Sequence, residues 1–412
     1  MSRRVVITGV GFGLPGLAMH ADAWASLLAG ESHVHPLDDA WLNVRWPGPW
    51  QVAGPGAPFH IHGCWALQLL QVVGLPTMTR AKLAAQLSPT IPDPDRFAAV
   101  IGASKGSLRY PESDSLAALF EAHDAPFPDR VAPSSLLDEF CEHFPETIRR
   151  TSPVAACATG LVSVVQAARW IRWGEVDTAI AGSADAAASP IVLASYRRLG
   201  VLTKTQPRPF DVARDGFVIG EGAGLLVLDT EAAAASRGAE PLAVLAGEDL
   251  RSDASGLVAA APDGEAVAVT VGNALSQAGL QPRDIDAIVL HGTGTRQNDL
   301  SEGRGLRRVF GPRLNAIPAA SIKGAWGHTL GASGAIEAAV AVQMLVDQVV
   351  PPHCFADDID PACEVSNLAS DARPMPLRHV LKLSLGFGGH VAAAIFSRTY
   401  PLTKRRPSQP EA

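Results

Sequence analysis

At 412 residues the chain exceeds the usual size of one hydrophobic core, so two domains, or one domain built from two fused halves, are expected. Charged residues form 18% of it and hydrophobic residues 47%, against roughly 25% charged in an average globular protein, a balance suited to a large core and a subunit interface. The net charge of −7 gives no basic footprint for phosphate and argues against nucleic acid, while five scattered cysteines (Cys64, Cys141, Cys157, Cys354, Cys363) without paired metal-ligand spacing fit a reducing cytoplasm.

Arg3 and Arg4 precede an apolar run in the manner of a signal peptide, but glycines break the run and Pro15 follows, so a strand over 5–8 is expected. Gly9, Gly11, Gly13 and Gly16 resemble a dinucleotide-binding loop. No second strand ending in an acidic residue follows at the right distance, and tight strand-to-loop packing is the better reading. Residues 43–60, with four prolines, read as an irregular excursion over the core. His60, His62 and Cys64 alternate as ligands on one strand face would, yet no carboxylate lies close by, and no metal site is expected.

A buried strand over 98–101 is followed by a second irregular stretch, 107–150. A strand over 154–156 then ends at Cys157 and turns directly into a helical pattern, 158–173. Unsatisfied backbone N–H groups at a helix start favour a thiolate, and Ala156, Ala158 and Gly160 leave room for a substrate. Strands follow over 178–181 and 225–228. Between them, Gly182-Ser183-Ala184-Asp185 lacks the second glycine of a serine-nucleophile elbow and reads as a strand end.

The alternation restarts with strands over 242–246, 287–290, 319–322, 380–385 and 392–396. His291 stands at the end of one strand and heads His-Gly-Thr293-Gly-Thr295; Lys323-Gly-Ala-Trp-Gly-His328 follows another. The apolar stretch 331–350 contains Glu337, Gln343 and Asp347, so a buried helix over 329–345 is expected rather than a membrane span. Gly386-Phe387-Gly388-Gly389 makes a bare turn whose N–H could reach a substrate oxygen. The pattern is α/β in two halves, 1–240 and 241–403, with a frayed tail at 404–412. Two histidines at strand ends together with a cysteine at a helix start form a catalytic constellation.

In these pieces, in this order, the chain resembles a β-ketoacyl-acyl-carrier-protein synthase of the elongating type, a thiolase-fold ketosynthase of fatty-acid or polyketide biosynthesis. The further matching segments are Arg208-Pro-Phe-Asp211, Arg214-Asp-Gly-Phe217, Gly220-Glu-Gly-Ala-Gly224 and Asn298-Asp299. The resemblance implies a thiolase-like fold, with two pseudo-twofold-related halves in a five-layered α-β-α-β-α core. It also implies a dimer, an acyl carrier protein as partner, malonyl and acyl thioesters as substrates, and neither cofactor nor metal. Carried over, Cys157 is the acylated nucleophile, and His291 and His328 govern decarboxylation and condensation. Lys323 supports them with Glu337 as its ion partner. The backbone N–H groups of Cys157 and Phe387 form the oxyanion hole, Phe387 gates the acyl pocket, and Thr293 and Thr295 touch the carrier's pantetheine arm. Arg197, Arg198 and Lys204 are candidates for docking the acidic carrier.

The sequence also departs from the pattern: Leu383-Ser384-Leu385 and His390-Val391 flank the gate turn, Ala155 stands where the family has threonine, and the glycine-proline approach to the cysteine is replaced. These changes point to a specialised branch. The alternatives are an acyltransferase or hydrolase on the same fold, and the active half of a ketosynthase/chain-length-factor heterodimer. A degradative thiolase would want a second cysteine in the 386–389 turn, where none stands.

Overall fold

The computed structural model describes residues 3–14, 17, 20–36, 51–53, 94–105, 132–141, 149–188, 190–256 and 260–399. The His60, His62 and Cys64 segment, most of both irregular stretches and the 404–412 tail lie outside the described residues.

Ten strands pair into one sheet: β1 (Val5–Gly13), β2 (Phe97–Gly102), β3 (Arg149–Thr151), β4 (Thr178–Asp185), β5 (Gly222–Thr230), β6 (Ala243–Ser252), β7 (Ala287–Val289), β8 (Ala319–Ala320), β9 (His379–Gly386) and β10 (His390–Arg398). Their spatial order is β8-β7-β9-β10-β6-β1-β5-β4-β2-β3. Divided between β6 and β1, each half reads outward from the centre as its first, fifth, fourth, second and third strand. The senses repeat as well. First with fifth and fifth with fourth are antiparallel, while fourth with second and second with third are parallel, in both halves. The halves join where Val6 faces Val244 and Ile7 faces Ala243.

The helices explain how one sheet makes five layers. They are α1 (Thr159–Arg172), α2 (Pro190–Arg198), α3 (Glu265–Ala278), α4 (Arg296–Phe310) and α5 (Ser333–Asp347). α1 and α5 pack on each other and touch strands of both halves, which makes them the central layer; α3 and α4 cover the second half, and Ser135–Cys141 lies against β2. A helix in that position has no solvent face, so α5 is apolar nearly all round and buried along most of its length. Its stretch Leu330–Asp347 is long and apolar enough to cross a membrane by composition, but it is enclosed by protein. Glycine sets how closely the central helices approach. A Cβ on Gly160 would lie 2.4 Å from the Ala335 amide nitrogen, and one on Gly334 2.5 Å from that of Leu161.

Three expectations need correction. The strand before the cysteine is Arg149–Thr151, and residues 152–155 are irregular, because the chain must turn sharply into α1 there. Gly9, Gly11 and Gly13 lie within β1, paired to β5, rather than in a loop. The strand over 319–322 stops at Ala320, and the helix expected from 329 begins with a 3-10 turn, Leu330–Ala332.

Candidate active site

Cys157 sits on a strained turn. Ala156 has φ +47°, the left-handed region that residues other than glycine seldom occupy, and the 3-10 turn Ala156–Ala158 runs straight into α1. Thr159 locks it, its Oγ1 accepting from the Ala155 amide at 2.9 Å and donating to the Ala156 carbonyl at 2.7 Å. The thiol lies in an apolar cluster with Val192, Leu193 and Tyr196 of α2, Phe217 and Leu330, and Phe387 packs against that cluster. Burial pushes the Cys157 thiol up to about 11, although Lys105 and Lys323 pull the other way. Burial thus opposes the thiolate that the helix start favours.

The two histidines come from different segments of the chain. Glu302 on α4 holds the His291 loop by accepting from the amides of His291 (2.6 Å) and Gly292 (2.8 Å), and Asp299 accepts from those of Thr293 and Gly294. His328 is fixed by its own backbone, donating to the Val218 carbonyl and accepting from the Gly220 amide. The imidazole rings are 5.5 Å apart and nearly perpendicular, and Phe217, a member of the Cys157 cluster, stands edge-on to His328 at 5.0 Å.

Lys323 selects a tautomer. Its ammonium donates to the His291 carbonyl at 2.5 Å and lies 3.5 Å from Nδ1 of the same residue. An ammonium can only donate, so Nδ1 accepts, the ring proton sits on Nε2, and Nε2–H is free for a substrate oxygen. His328 Nδ1 is 2.9 Å from Ser333 Oγ, an arrangement in which a donating hydroxyl gives the same tautomer. Burial, seconded by Lys323, holds both imidazoles well below their ordinary range, so both are neutral at neutral pH. Behind them, Lys323 Nζ and Glu337 Oε1 are 2.5 Å apart, both fully buried.

Thr293 and Thr295 share a hydrogen bond between their hydroxyls at 2.9 Å, the first buried and the second half-exposed. Phe387 is half-exposed with its ring 6.1 Å from that of Tyr196. Arg197 and Arg198 close α2, the helix that lines the Cys157 cluster, and Lys204 is exposed just beyond it. A surface cavity of about 520 Å³ lies elsewhere, bordered by Arg3, Arg4, Arg96, Asp177 and Glu231. Its charges pair with one another.

Comparison with known proteins identifies the chain's family. Family models described as "Beta-ketoacyl synthase, N-terminal domain" and "Beta-ketoacyl synthase, C-terminal domain" match residues 149–234 and 242–356. The 3-oxoacyl-[acyl-carrier-protein] synthase 2 of Mycobacterium bovis is 32% identical over 410 residues, spanning 96% of this chain and 97% of that protein. The chain belongs to the β-ketoacyl synthase family. Among solved structures, a type II PKS acyl-carrier protein in complex with its ketosynthase bound to the hexaketide aligns with TM-score 0.85 at 26% identity, covering 97% of this chain and all of that one. The ishigamide ketosynthase/chain length factor aligns with TM-score 0.83 at 28% identity, over 97% and 100% of the two chains.

Several residues around this β-ketoacyl synthase site escaped the sequence reading. Asp185, at the end of β4, accepts from Ser104 and from the Gly331 amide, tying β2 to the start of α5; burial pushes it up to about 6. Glu302 carried a readable signal, an acid three residues after Asp299 on one helix face near its start. Tyr196 carried none, and Phe217 entered only as the end of a matching segment. Lys382 stands out as a lysine inside an apolar strand. Among the family departures, the altered 386–389 turn is held from another loop, the Gly389 carbonyl accepting from the Asp253 amide at 2.6 Å.

Gly386 abuts the Cys157 turn: a Cβ there would lie 2.6 Å from the Ala155 carbonyl oxygen and 3.3 Å from the Cys157 amide nitrogen. Gly386→Ala should therefore push β9 off the turn and spoil any oxyanion site shared by the Cys157 and Phe387 amides. Acyl transfer should fall roughly 10²-fold or more, with a stability loss of about 1–3 kcal/mol from overpacking. Stopped-flow acyl transfer and thermal melts on the purified variant measure both.

Proposed function

We propose that the chain is a β-ketoacyl-acyl-carrier-protein synthase that carries an acyl group on Cys157 and condenses it with malonyl carrier, with loss of CO2. What supports this best is the juxtaposition of a buried cysteine on a strained turn with two neutral imidazoles, His291 and His328, linked through Phe217. In the first half-reaction the Cys157 Sγ–C bond forms and the carrier's C–S bond breaks. The thiol proton ends on the departing carrier thiol. In the second, the bond from the malonyl α-carbon to its carboxylate breaks and the electron pair moves into the thioester as an enolate, whose oxygen accepts from the two Nε2–H groups. The α-carbon then attacks the acyl carbonyl, the oxyanion draws on the Cys157 and Phe387 amides, and collapse releases Cys157, which takes up one proton.

Lys323 and Glu337 hold the histidines, Phe387 gates the acyl pocket, and Thr293 and Thr295 line the way in for pantetheine. An acyl carrier protein is the partner, docking beside Arg197, Arg198 and Lys204, and the synthase pairs either with a second copy or with a chain-length partner, as the solved ketosynthase/chain length factor complexes are titled. The units 1–240 and 241–403 are its two halves, a division favoured by the repeated strand order. A cytoplasmic setting agrees with free thiols at Cys141, Cys157, Cys354 and Cys363. Incubation with acyl carrier followed by mass spectrometry should add one acyl mass to the Cys157 peptide alone; labelling at Cys354 or Cys64 instead would overturn the assignment.

A further inference from the structure

Lys382 has no role in the reaction as drawn so far, yet it is fully buried in β9, where a charge is costly. Its Nζ is 2.8 Å from Glu337 Oε2, off the line of a hydrogen bond, and it also donates to the Leu383 carbonyl. Glu337 thus spans two ammonium groups, with Lys323 on Oε1 and Lys382 on Oε2. From there the chain of contacts continues through Lys323 to the carbonyl and Nδ1 of His291. We propose that Lys382 is a positioning residue: by sharing Glu337 with Lys323 it leaves a net positive charge buried behind His291 and His328, favouring the anionic malonyl thioester and its enolate.

The charge count carries the argument. Lys323 and Glu337 alone would cancel, and the second ammonium restores one positive charge where screening is weak. The other acid facing Lys382 is Glu302 on α4. Burial pushes it up to about 7, and it is occupied by the amides of His291 and Gly292, so it offsets the second cation only in part. Both histidines are held neutral partly by Lys382, which keeps Nε2–H a donor without an imidazolium charge. A purely structural strand position would be served as well by methionine, because Glu337 keeps Lys323 as its partner and no uncompensated charge is left behind.

The proposal rests on the condensing reading above, and its test separates the two. CO2 release from malonyl carrier is followed with the full-length protein as wild type, Lys382→Met and Lys382→Arg, from neutral to alkaline pH, with thermal melts alongside. Burial lowers Lys382 to about 8, so the wild-type rate should decline as pH rises through that value and the cation is lost. Lys382→Met should melt no lower, release CO2 roughly tenfold more slowly at neutral pH, less than the 10²–10³ cost of losing a direct donor, and lose the alkaline limb. Lys382→Arg should keep the neutral rate and hold it above that pH. NMR titration should find His328 protonating at higher pH in Lys382→Met, a readout independent of turnover. A folded Lys382→Met with the wild-type rate, the wild-type limb and an unmoved His328 overturns the role. If that variant does not fold, a limb persisting in Lys382→Arg overturns it. No CO2 release from the wild type would instead sink the condensing reading, leaving the His328 titration to judge Lys382.

Discussion

Cys157→Gln should abolish acyl transfer and condensation while leaving malonyl-carrier decarboxylation intact. Deleting a nucleophile that acts in concert with its neighbours costs on the order of 10⁶-fold in well-studied hydrolases, so condensation should fall to background. Decarboxylation needs only the enolate site, and its parts lie on other elements: His291 after β7, His328 beside Val218 and Gly220, Lys323 ahead of α5, and Glu337 within it. Glutamine suits the test because its amide can fill the place of an acylated cysteine within the Cys157 cluster while the Phe387 turn stays where it is. The two half-reactions are measured separately, as acyl mass on the protein and as CO2 release. Parallel loss of both in a folded variant would mean that Cys157 takes part in decarboxylation, contrary to the division drawn here.

Strand content was legible because the buried strands are continuous apolar runs, as two-sided burial requires. The fully buried β2, β4 and β5 are examples. The turn at Cys157 was not, since φ at Ala156 is imposed by tertiary packing that an alanine cannot advertise. Likewise the sequence pointed to a thiolate from the helix start alone. The counterweight is desolvation by Val192, Leu193, Tyr196, Phe217 and Leu330, residues drawn from three segments distant in sequence. In the sequence Lys323 and Glu337 pair only through a family resemblance, and the second lysine on the same carboxylate is brought there by the fold. Lys382 reads in sequence as an odd residue in a strand; what it faces is fixed by the packing of β9 on α5.

His328→Ala should slow decarboxylation by roughly 10²–10³-fold, the usual cost of losing one preorganised donor to developing negative charge. The backbone bridge to Val218 and Gly220 does not use the side chain, so the loop should hold its place, and the loss should appear in rate rather than as unfolding. Acyl transfer should fall less, because its oxyanion donors, the Cys157 and Phe387 amides, belong to other turns. Lys323→Ala should resemble His328→Ala, since it frees His291 Nδ1 and leaves the ring without a fixed tautomer. The wild-type pH profile supplies a control. Burial and Lys323 hold His328 well below 6.5, so lowering the pH through 6.5 should leave decarboxylation unchanged so far as this histidine is concerned, with its protonation felt only in more acidic solution. CO2 release and acyl transfer, run separately on each variant, decide the matter: a His328→Ala enzyme that decarboxylates normally but cannot be acylated would reverse the roles assigned to the two sides of the site.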